Sequence, residues 1–228
     1  MWHAKPSGAY TLGSSEANDN IMEIYNYFTA LGWSLEAISG MIGNMVAESG
    51  LNPWRWQSDR VNYSGGYGLV QYTPASGYIN NYGAGVTGFA PNLSTSEVLG
   101  GNVSDAYAQM YTIANNSSGK FLNRNYLCNY LDFSDCYPLS AYKVNRDLWK
   151  CSTAWLWNFE YPADHSKSVA DYRYFLALQV YNYLSGETPE PPTPPPTPPP
   201  PTPPDPEFNI WFIIGGPARE TIRRILGQ

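Results

Sequence analysis

The two stretches of sequence most informative about the fold are Met41–Pro53 (MIGNMVAESGLNP) and Gly65–Pro74 (GGYGLVQYTP). In the first stretch, Glu48 follows Met45 by three residues, so both side chains project from the same face of a helix. Gly50 favours the end of that helix, because glycine readily adopts the left-handed conformation of a helix C-cap. The sequence therefore predicts a carboxyl group at the end of a helix, beside an apolar wall.

Glu48 is the first candidate for catalysis. A carboxyl group that loses solvation against apolar side chains is suited to act as a general acid near neutral pH. Trp54 and Trp56 follow shortly in the sequence and offer flat apolar surfaces that suit stacking on sugar rings. The alternative interpretation of Glu48 is a solvated carboxylate at a helix end.

The second stretch predicts a glycine-rich loop. Gly65, Gly66 and Gly68 allow a close approach of the backbone, and Gln71 provides both a hydrogen-bond donor and an acceptor. The loop lacks the lysine and the spacing of a phosphate-binding loop. Its significance comes from its position after the helix that carries Glu48.

The composition excludes several classes of protein. The chain has 228 residues, of which 15% are aromatic and 14% charged, and its net charge is −6. Such a chain can bury enough apolar surface to fold, which excludes disorder throughout. The acidic balance argues against nucleic-acid binding, which needs a basic surface. The many tyrosines and tryptophans indicate a surface on which a ligand stacks.

The cysteines and histidines offer few sites for chemistry. We expect neither a metal site nor another cofactor, since the sequence has only His3 and His165 and no CxxC spacing. Cys128, Cys136 and Cys151 are expected to be buried thiols, with a Cys128–Cys136 bridge as the alternative outside the cell. A peptidase that pairs Cys136 or Cys151 with His165 is a competing interpretation, but Cys151 falls on an apolar helical face.

Helical periodicity dominates residues 1–187, which we expect to form one domain. Apolar residues recur at helical spacing, and no run shows clear strand periodicity. We therefore predict a mainly α fold, with a turn-rich stretch over residues 50–92 and capping-box spacing at Ser94–Glu97. The predicted helices are Glu16–Leu31, Leu35–Ser49, a segment around Ala106–Ala114, Asn145–Phe159 and Val169–Leu184.

Proline divides the chain. Residues 188–206 read TPEPPTPPPTPPPPTPPDP and contain 13 of the 20 prolines. Because proline donates no backbone hydrogen bond, this run favours a polyproline II conformation and cannot build a core. At about 3.1 Å per residue, the run would span roughly 60 Å. We therefore predict a semi-rigid linker over residues 188–207.

Residues 208–228 (FNIWFIIGGPARETIRRILGQ) differ from the domain in charge. Arg219, Arg223 and Arg224 outweigh Glu220 and give this segment a net charge of +2. Its end predicts a short amphipathic helix, which is marginal alone in water and needs a partner. We expect the segment to dock onto another protein, and a weak contact with a membrane surface is the alternative.

Several motifs together resemble a known family. AESGLNP followed by GYGLVQYTP is similar to the signature of the lysozyme and lytic-transglycosylase superfamily, a Glu-Ser pair that closes a helix and then a Gly-Leu-x-Gln loop. The fuller pattern resembles the phage-tail lysozyme domains of short-tailed phages that infect Gram-positive bacteria, over roughly residues 16–186. The motifs that carry this resemblance are Gly32-Trp33, Gly40–Met45, Gly68–Ser76, Phe159–Pro162 and the last helix with Arg173.

The resemblance implies roles for particular residues. Glu48 matches the catalytic acid and Glu160 the second acidic position, although Tyr161 stands where relatives often have arginine. A hydrolysing glycosidase needs a second carboxylate, whereas a lytic transglycosylase manages with one acid. A buried ion pair with Arg173 is the alternative interpretation of Glu160. The remaining candidates are Gln71, Tyr67, Tyr72, Trp54 and Trp56 in the substrate groove, and Asp59 and Asp164 as weaker substitutes for Glu160.

We therefore expect a mainly helical, lysozyme-like peptidoglycan hydrolase that cleaves the glycosidic bond between N-acetylmuramic acid and N-acetylglucosamine. Its partners would be bacterial peptidoglycan and, through residues 208–228, phage tail proteins, and it would reside in the virion. A virion structural protein that binds glycan without cutting it is the alternative. The N-terminal residues lack a secretory signal, which suits action on entry from the tail as well as action as a freed lysin.

Overall fold

The computed structural model describes residues 1–6, 8–83, 103–116, 119–121, 127–128 and 130–186. The chain forms two units, Met1–Pro189 and Glu190–Gln228, and the second lies outside the described residues. The linker over 188–207, the helix within 208–228 and the capping box at Ser94–Glu97 therefore stay predictions.

Helices dominate the described part of the chain, which confirms the predicted fold class. Its seven α-helices are α1 (Ser15–Ala30), α2 (Leu35–Ser49), α3 (Ala75–Tyr78), α4 (Val103–Ala114), α5 (Leu139–Tyr142), α6 (Leu148–Trp155) and α7 (Lys167–Ser185). Turns of 3-10 helix occur at Gln57–Asp59 and Ser134–Cys136, and π-helical turns at Ile79–Gly83 and Leu156–Glu160. Two short strands, β1 (Leu127–Cys128) and β2 (Leu131–Asp132), pair antiparallel with Leu127 opposite Asp132. Within the described residues, no helix is long and apolar enough to cross a membrane.

Local capping explains where the first two helices begin and end. The Ser14 hydroxyl accepts a hydrogen bond from the Ala17 amide at the start of α1, and Ser34 caps α2 through Ala37 in the same way. Gly50 ends α2 in the left-handed conformation, as the sequence predicts. The observed α2 has the predicted boundaries, because its capping residues and the helical spacing of its apolar residues indicate the same start and end.

Helix α6 is shorter than the predicted helix over Asn145–Phe159. It begins only after Asp147, whose side chain accepts a hydrogen bond from the Lys150 amide at 3.0 Å. At its other end the chain widens into a π turn, in which the Tyr161 amide donates to the Leu156 carbonyl five residues earlier at 2.8 Å. The π turn inserts one extra residue and so changes the direction in which the following side chains project.

Helix α2 lies at the centre of the fold. Its residues 37–45 are all buried and none is charged, so the helix is surrounded by protein on every side. Helices α6 and α7 approach it closely, because two glycines remove the side chains that would separate the backbones. A β-carbon added at Gly43 would lie 2.5 Å from the Ala177 nitrogen, and one at Gly40 would lie 2.8 Å from the Cys151 carbonyl carbon.

Much of the aromatic content belongs to the core. Trp33, Tyr142, Trp155 and Phe121 are buried, and their rings contact one another. The Tyr142 hydroxyl donates to the Ala37 carbonyl at 2.8 Å, which satisfies the polar end of the ring. The expectation that the aromatic excess marks a surface for stacking is therefore wrong for these residues.

Replacing Gly43 by alanine should destabilise the protein, because the added methyl group would meet the backbone of α7 and force the two helices apart. We expect a loss of about 2–3 kcal/mol in the free energy of unfolding, measured by urea denaturation. Gly77→Ala is the matched control, since its β-carbon would have only the Pro74 side chain within 4 Å, at 3.9 Å. Equal unfolding free energies for the two variants would contradict the packing argument.

Candidate functional site

A cavity of about 580 Å³ opens at the C-terminal end of α2. Glu48 lines it from α2 and Glu160 lines it from the π turn after α6, so the fold brings the two predicted acidic residues to one cavity. Gln71, which the sequence places in the groove, also lines it. The other lining residues are Arg55, Gln57, Ser58, Gly66, Thr73, Lys120, Phe159 and Tyr161.

Glu48 is paired with an arginine from another helix. Its side chain is 22% exposed, and its Oε1 lies 2.5 Å from Nη2 of Arg173 on α7. Nη1 of the same guanidinium donates to the backbone carbonyl of Asn44, one turn earlier on α2, at 3.0 Å. The sequence offered Arg173 as an ion-pair partner of Glu160, whereas the structure places it in direct contact with Glu48.

Glu160 occupies a more enclosed position. Its side chain is 4% exposed, its Oε1 accepts a hydrogen bond from Trp155 Nε1 at 3.0 Å, and its Oε2 lies 4.0 Å from Lys120 Nζ. Burial raises the pKa of Glu160 to about 7, against the opposing charge of Lys120. Glu48 raises this pKa further, whereas Trp155 and Arg173 lower it. Glu160 is therefore largely protonated below pH 7.

The glycine-rich loop forms a tight hairpin that docks onto the end of α2. Tyr67 and Tyr72 exchange backbone hydrogen bonds of 3.1 and 2.8 Å across a turn in which Gly68 has a φ of +79°. The Ser49 hydroxyl donates to the Leu69 carbonyl at 2.9 Å. The Ser residue of the Glu-Ser pair thus ties the loop to the helix that carries Glu48.

Gln71 is held by the loop in which it lies. Its Nε2 donates to the Gly68 carbonyl at 3.0 Å and to the Arg55 carbonyl at 3.3 Å. Its Oε1 lies close to Gly66, where an added β-carbon would be only 2.7 Å away. The loop therefore fixes the orientation of the amide at the cavity wall.

The loop is hydrogen-bonded to a fully buried carboxyl group that was not predicted from the sequence. Asp105 on α4 accepts hydrogen bonds from the hydroxyl groups of Tyr67 (2.7 Å) and Tyr78 (2.8 Å) and from Gln109 Nε2 (2.9 Å). Burial raises the pKa of Asp105 to about 7, although these hydrogen bonds lower it. Gln109 also accepts a hydrogen bond from the Leu69 amide at 2.8 Å, so this network reaches the turn beside the cavity.

The aromatic residues predicted to stack on sugar rings do not line the cavity. Trp56 and Tyr67 are buried, and their ring centroids lie 4.7 Å apart. Tyr72 is also buried and borders a smaller neighbouring cavity of about 180 Å³. Trp54 is partly buried against the core. Burial of Trp56 and Tyr67 contradicts the prediction that they offer stacking faces, because the two rings pack against each other within the core.

Other residues that line the cavity were not predicted as site residues from the sequence. Phe159 and Tyr161 flank Glu160 in the motif aromatic-Glu-x-Pro, so their proximity to a candidate acid was a usable signal. Tyr161 adopts a φ of +49°, directly after the π turn. Lys120 belongs to no motif, and only the fold brings its ammonium group near Glu160.

The cysteine-based alternative has no support in the structure. Cys136 and Cys151 are buried free thiols, which contradicts the alternative of a disulfide bridge at Cys136. A hydrogen bond with Cys136 and burial raise the pKa of the Cys151 thiol, which is the opposite of what activates a nucleophile. His165 stacks on Trp157, with ring centroids 4.1 Å apart.

Neither of the weaker acidic candidates lines the cavity. Asp59 accepts a hydrogen bond from the Gly8 amide at 2.7 Å and lies 3.6 Å from Arg55 Nε. Asp164 accepts a hydrogen bond from the Ser166 amide at 2.8 Å, and this bond lowers its pKa. The described residues contain no group of three or more side chains that could hold a metal ion.

Comparison with known proteins shows which family contains this helical chain with two carboxyl groups in one cavity. Residues 19–184 match the phage tail lysozyme family, and the chain belongs to that family. This confirms the predicted lysozyme-like domain and makes the chain a virion-associated, tail-located protein. The chain is also similar to Morphogenesis protein 1 of Bacillus phage B103, with 49% identity over 81 residues. The match covers 35% of this chain and 21% of that relative.

Proposed function

We propose that this chain is a peptidoglycan hydrolase of the phage tail that cleaves the glycosidic bond between N-acetylmuramic acid and N-acetylglucosamine. Glu48 would protonate the glycosidic oxygen of the leaving sugar, while the cavity holds the glycan. The observation that carries the proposal is a single cavity lined by Glu48 and Glu160. Membership of a lysozyme family supports the class of reaction.

Accessibility favours Glu48 over Glu160 as the proton donor. A general acid must come within hydrogen-bond reach of the atom that it protonates. The Glu48 side chain is several times more exposed than that of Glu160, and it lies at the open end of α2. Glu160 then takes the part of the second carboxylate, which acts in its ionised form as nucleophile or as base for water.

Glycan binding without cleavage is the second candidate function. The relative from Bacillus phage B103 is named for morphogenesis, which favours a structural role in that protein. Under this alternative the cavity would hold a glycan chain that is left intact. Release of soluble fragments from purified cell walls by the unaltered protein discriminates between the two functions.

Glu48→Gln should abolish wall cleavage with little effect on folding, because the amide cannot donate a proton to the leaving oxygen but can still accept a hydrogen bond from Arg173. We expect a loss of roughly 1000-fold in the rate of fragment release. The melting temperature should stay nearly unchanged. Glu16→Gln, at a partly exposed position on α1 that does not line the cavity, is the matched control and should keep full activity. Wall cleavage by Glu48→Gln at the normal rate would refute the assignment.

Activity should rise with pH between about 6 and 8, because the second carboxylate acts when ionised and the pKa of Glu160 is about 7. Glu160→Gln should lower the rate by roughly 100-fold and remove this rise. Initial rates on purified walls across this pH range give the measurement. Mass spectrometry should find reducing sugar ends, whereas 1,6-anhydromuramic ends would indicate a transglycosylase. An unchanged pH profile in Glu160→Gln would leave Glu160 a structural role only.

We further propose that residues 208–228 dock onto another tail protein. The linker over 188–207 would join this segment to the domain over residues 1–187. The apolar run in the last segment is short and its charge of +2 is modest for binding anionic lipid, which favours docking over a membrane contact.

Deleting residues 208–228 should abolish incorporation into virions, because the segment supplies the docking surface, and should leave wall cleavage in solution intact. Immunoblots of purified virions and turbidity assays on walls measure the two effects. Normal incorporation of the truncated chain, together with binding of the segment to anionic liposomes, would favour the membrane role.

A further inference from the structure

Arg173 reaches Glu48 because α7 lies very close to α2. Ala177 packs against Gly43 with no room for another carbon atom between the two backbones. Arg173 precedes Ala177 by four residues, so its side chain projects from the same face of α7. The contact between the two helices therefore places the guanidinium beside Glu48, at the last turns of α2.

The guanidinium is bound through both of its terminal nitrogens. Nη2 contacts Glu48 Oε1, and Nη1 donates to the Asn44 carbonyl. The side chain is 12% exposed, and its buried Nε has no hydrogen-bond partner among the described residues. A buried donor without a partner costs about 1–3 kcal/mol. Because ion pairs that are largely removed from water often stabilise a fold less than apolar residues of similar volume, stability alone explains this part-buried pair poorly.

We propose that Arg173 is a positioning residue for the proton donor: it holds the Glu48 carboxyl group at the cavity wall and stabilises the carboxylate that remains after proton transfer. The inference rests on the proposed glycosidase function. A group of fixed positive charge in contact with the site of developing negative charge needs no rearrangement during the reaction. The contact between Nη2 and Oε1 places this charge where it would meet the carboxylate that remains after transfer.

The proton transfer balances without any additional reactant. The O–H bond of protonated Glu48 breaks, and a new O–H bond forms at the glycosidic oxygen. The bond between that oxygen and the anomeric carbon breaks, its electron pair stays on the oxygen, and the leaving sugar departs as an alcohol. Water then supplies the hydroxyl group of the anomeric carbon and returns a proton to the enzyme.

Arg173 also acts on the second carboxyl group. The charged groups that face Glu160 are Glu48 on α2, Lys120 and Arg173, and Trp155 donates a hydrogen bond to it. The positive charge of Arg173 lowers the pKa of Glu160. Its removal disfavours the ionised form, so the rise of activity with pH should move to higher pH. A lysine at position 173 keeps the charge and should leave that rise near its original position.

The test compares Arg173→Gln and Arg173→Lys with the unaltered protein on purified walls. Arg173→Gln should lower kcat by roughly 100-fold with KM changed less than about threefold, because the loss falls on the transition state. Arg173→Lys keeps the positive charge but loses the paired contacts of the guanidinium, so it should recover about tenfold of this loss and restore the pH profile. Lys167→Gln is the matched control, since it removes an exposed ion pair with Asp171 on the same helix, and it should keep full activity.

The outcomes separate this inference from the proposed function. No cleavage by the unaltered protein would refute the function and the inference together. Cleavage by the unaltered protein and by Arg173→Gln with the same kcat and pH profile would refute the inference alone. A loss of the same size in both Arg173 variants, in proportion to the fraction unfolded in thermal melts, would also refute it, because activity that is lost only with folded protein needs no role for Arg173 in the reaction.

Discussion

Close packing of Gly43 on α2 against Ala177 on α7 determines how the functional residues are arranged. It allows α2 to be buried on every side over residues 37–45, so only the end of this helix meets the cavity. Glu48 lies at that end, and the same contact brings Arg173 to it. A helix that is fixed by packing along its length holds a terminal side chain more firmly than a loop would.

The two carboxyl groups of the cavity come from different backbone elements and lie in different surroundings, and this gives them different properties. Glu48 comes from a regular helix and meets a guanidinium in direct contact. Glu160 comes from a π turn, where the extra residue turns its side chain into an enclosed position and burial raises its pKa to about 7. Asp105 shows the same effect of burial beneath the neighbouring loop, where tyrosine hydroxyls satisfy it. Environment rather than residue type therefore sets the character of each group.

The sequence predicted what depends on local pattern and missed what depends on tertiary packing. The limits of α2 followed from the cap at Ser34 and from Gly50, because capping is a property of neighbouring residues. The burial of Trp56 was not predictable, since it depends on backbone pairing with Tyr67 and on packing between the two rings. The pairing of Arg173 with Glu48 spans 125 residues, and no pattern at that separation distinguishes it from a pairing with Glu160.

The net charge of −6 describes the whole chain and not the cavity. Arg55 and Lys120 line the cavity, and Arg173 lies behind Glu48 at its wall. Because Glu160 is largely protonated below pH 7, it adds little negative charge to the cavity there. The binding of an anionic polymer depends on the potential at its site more than on the average charge of the protein. An acidic chain can therefore present a cavity that does not repel the proposed wall substrate.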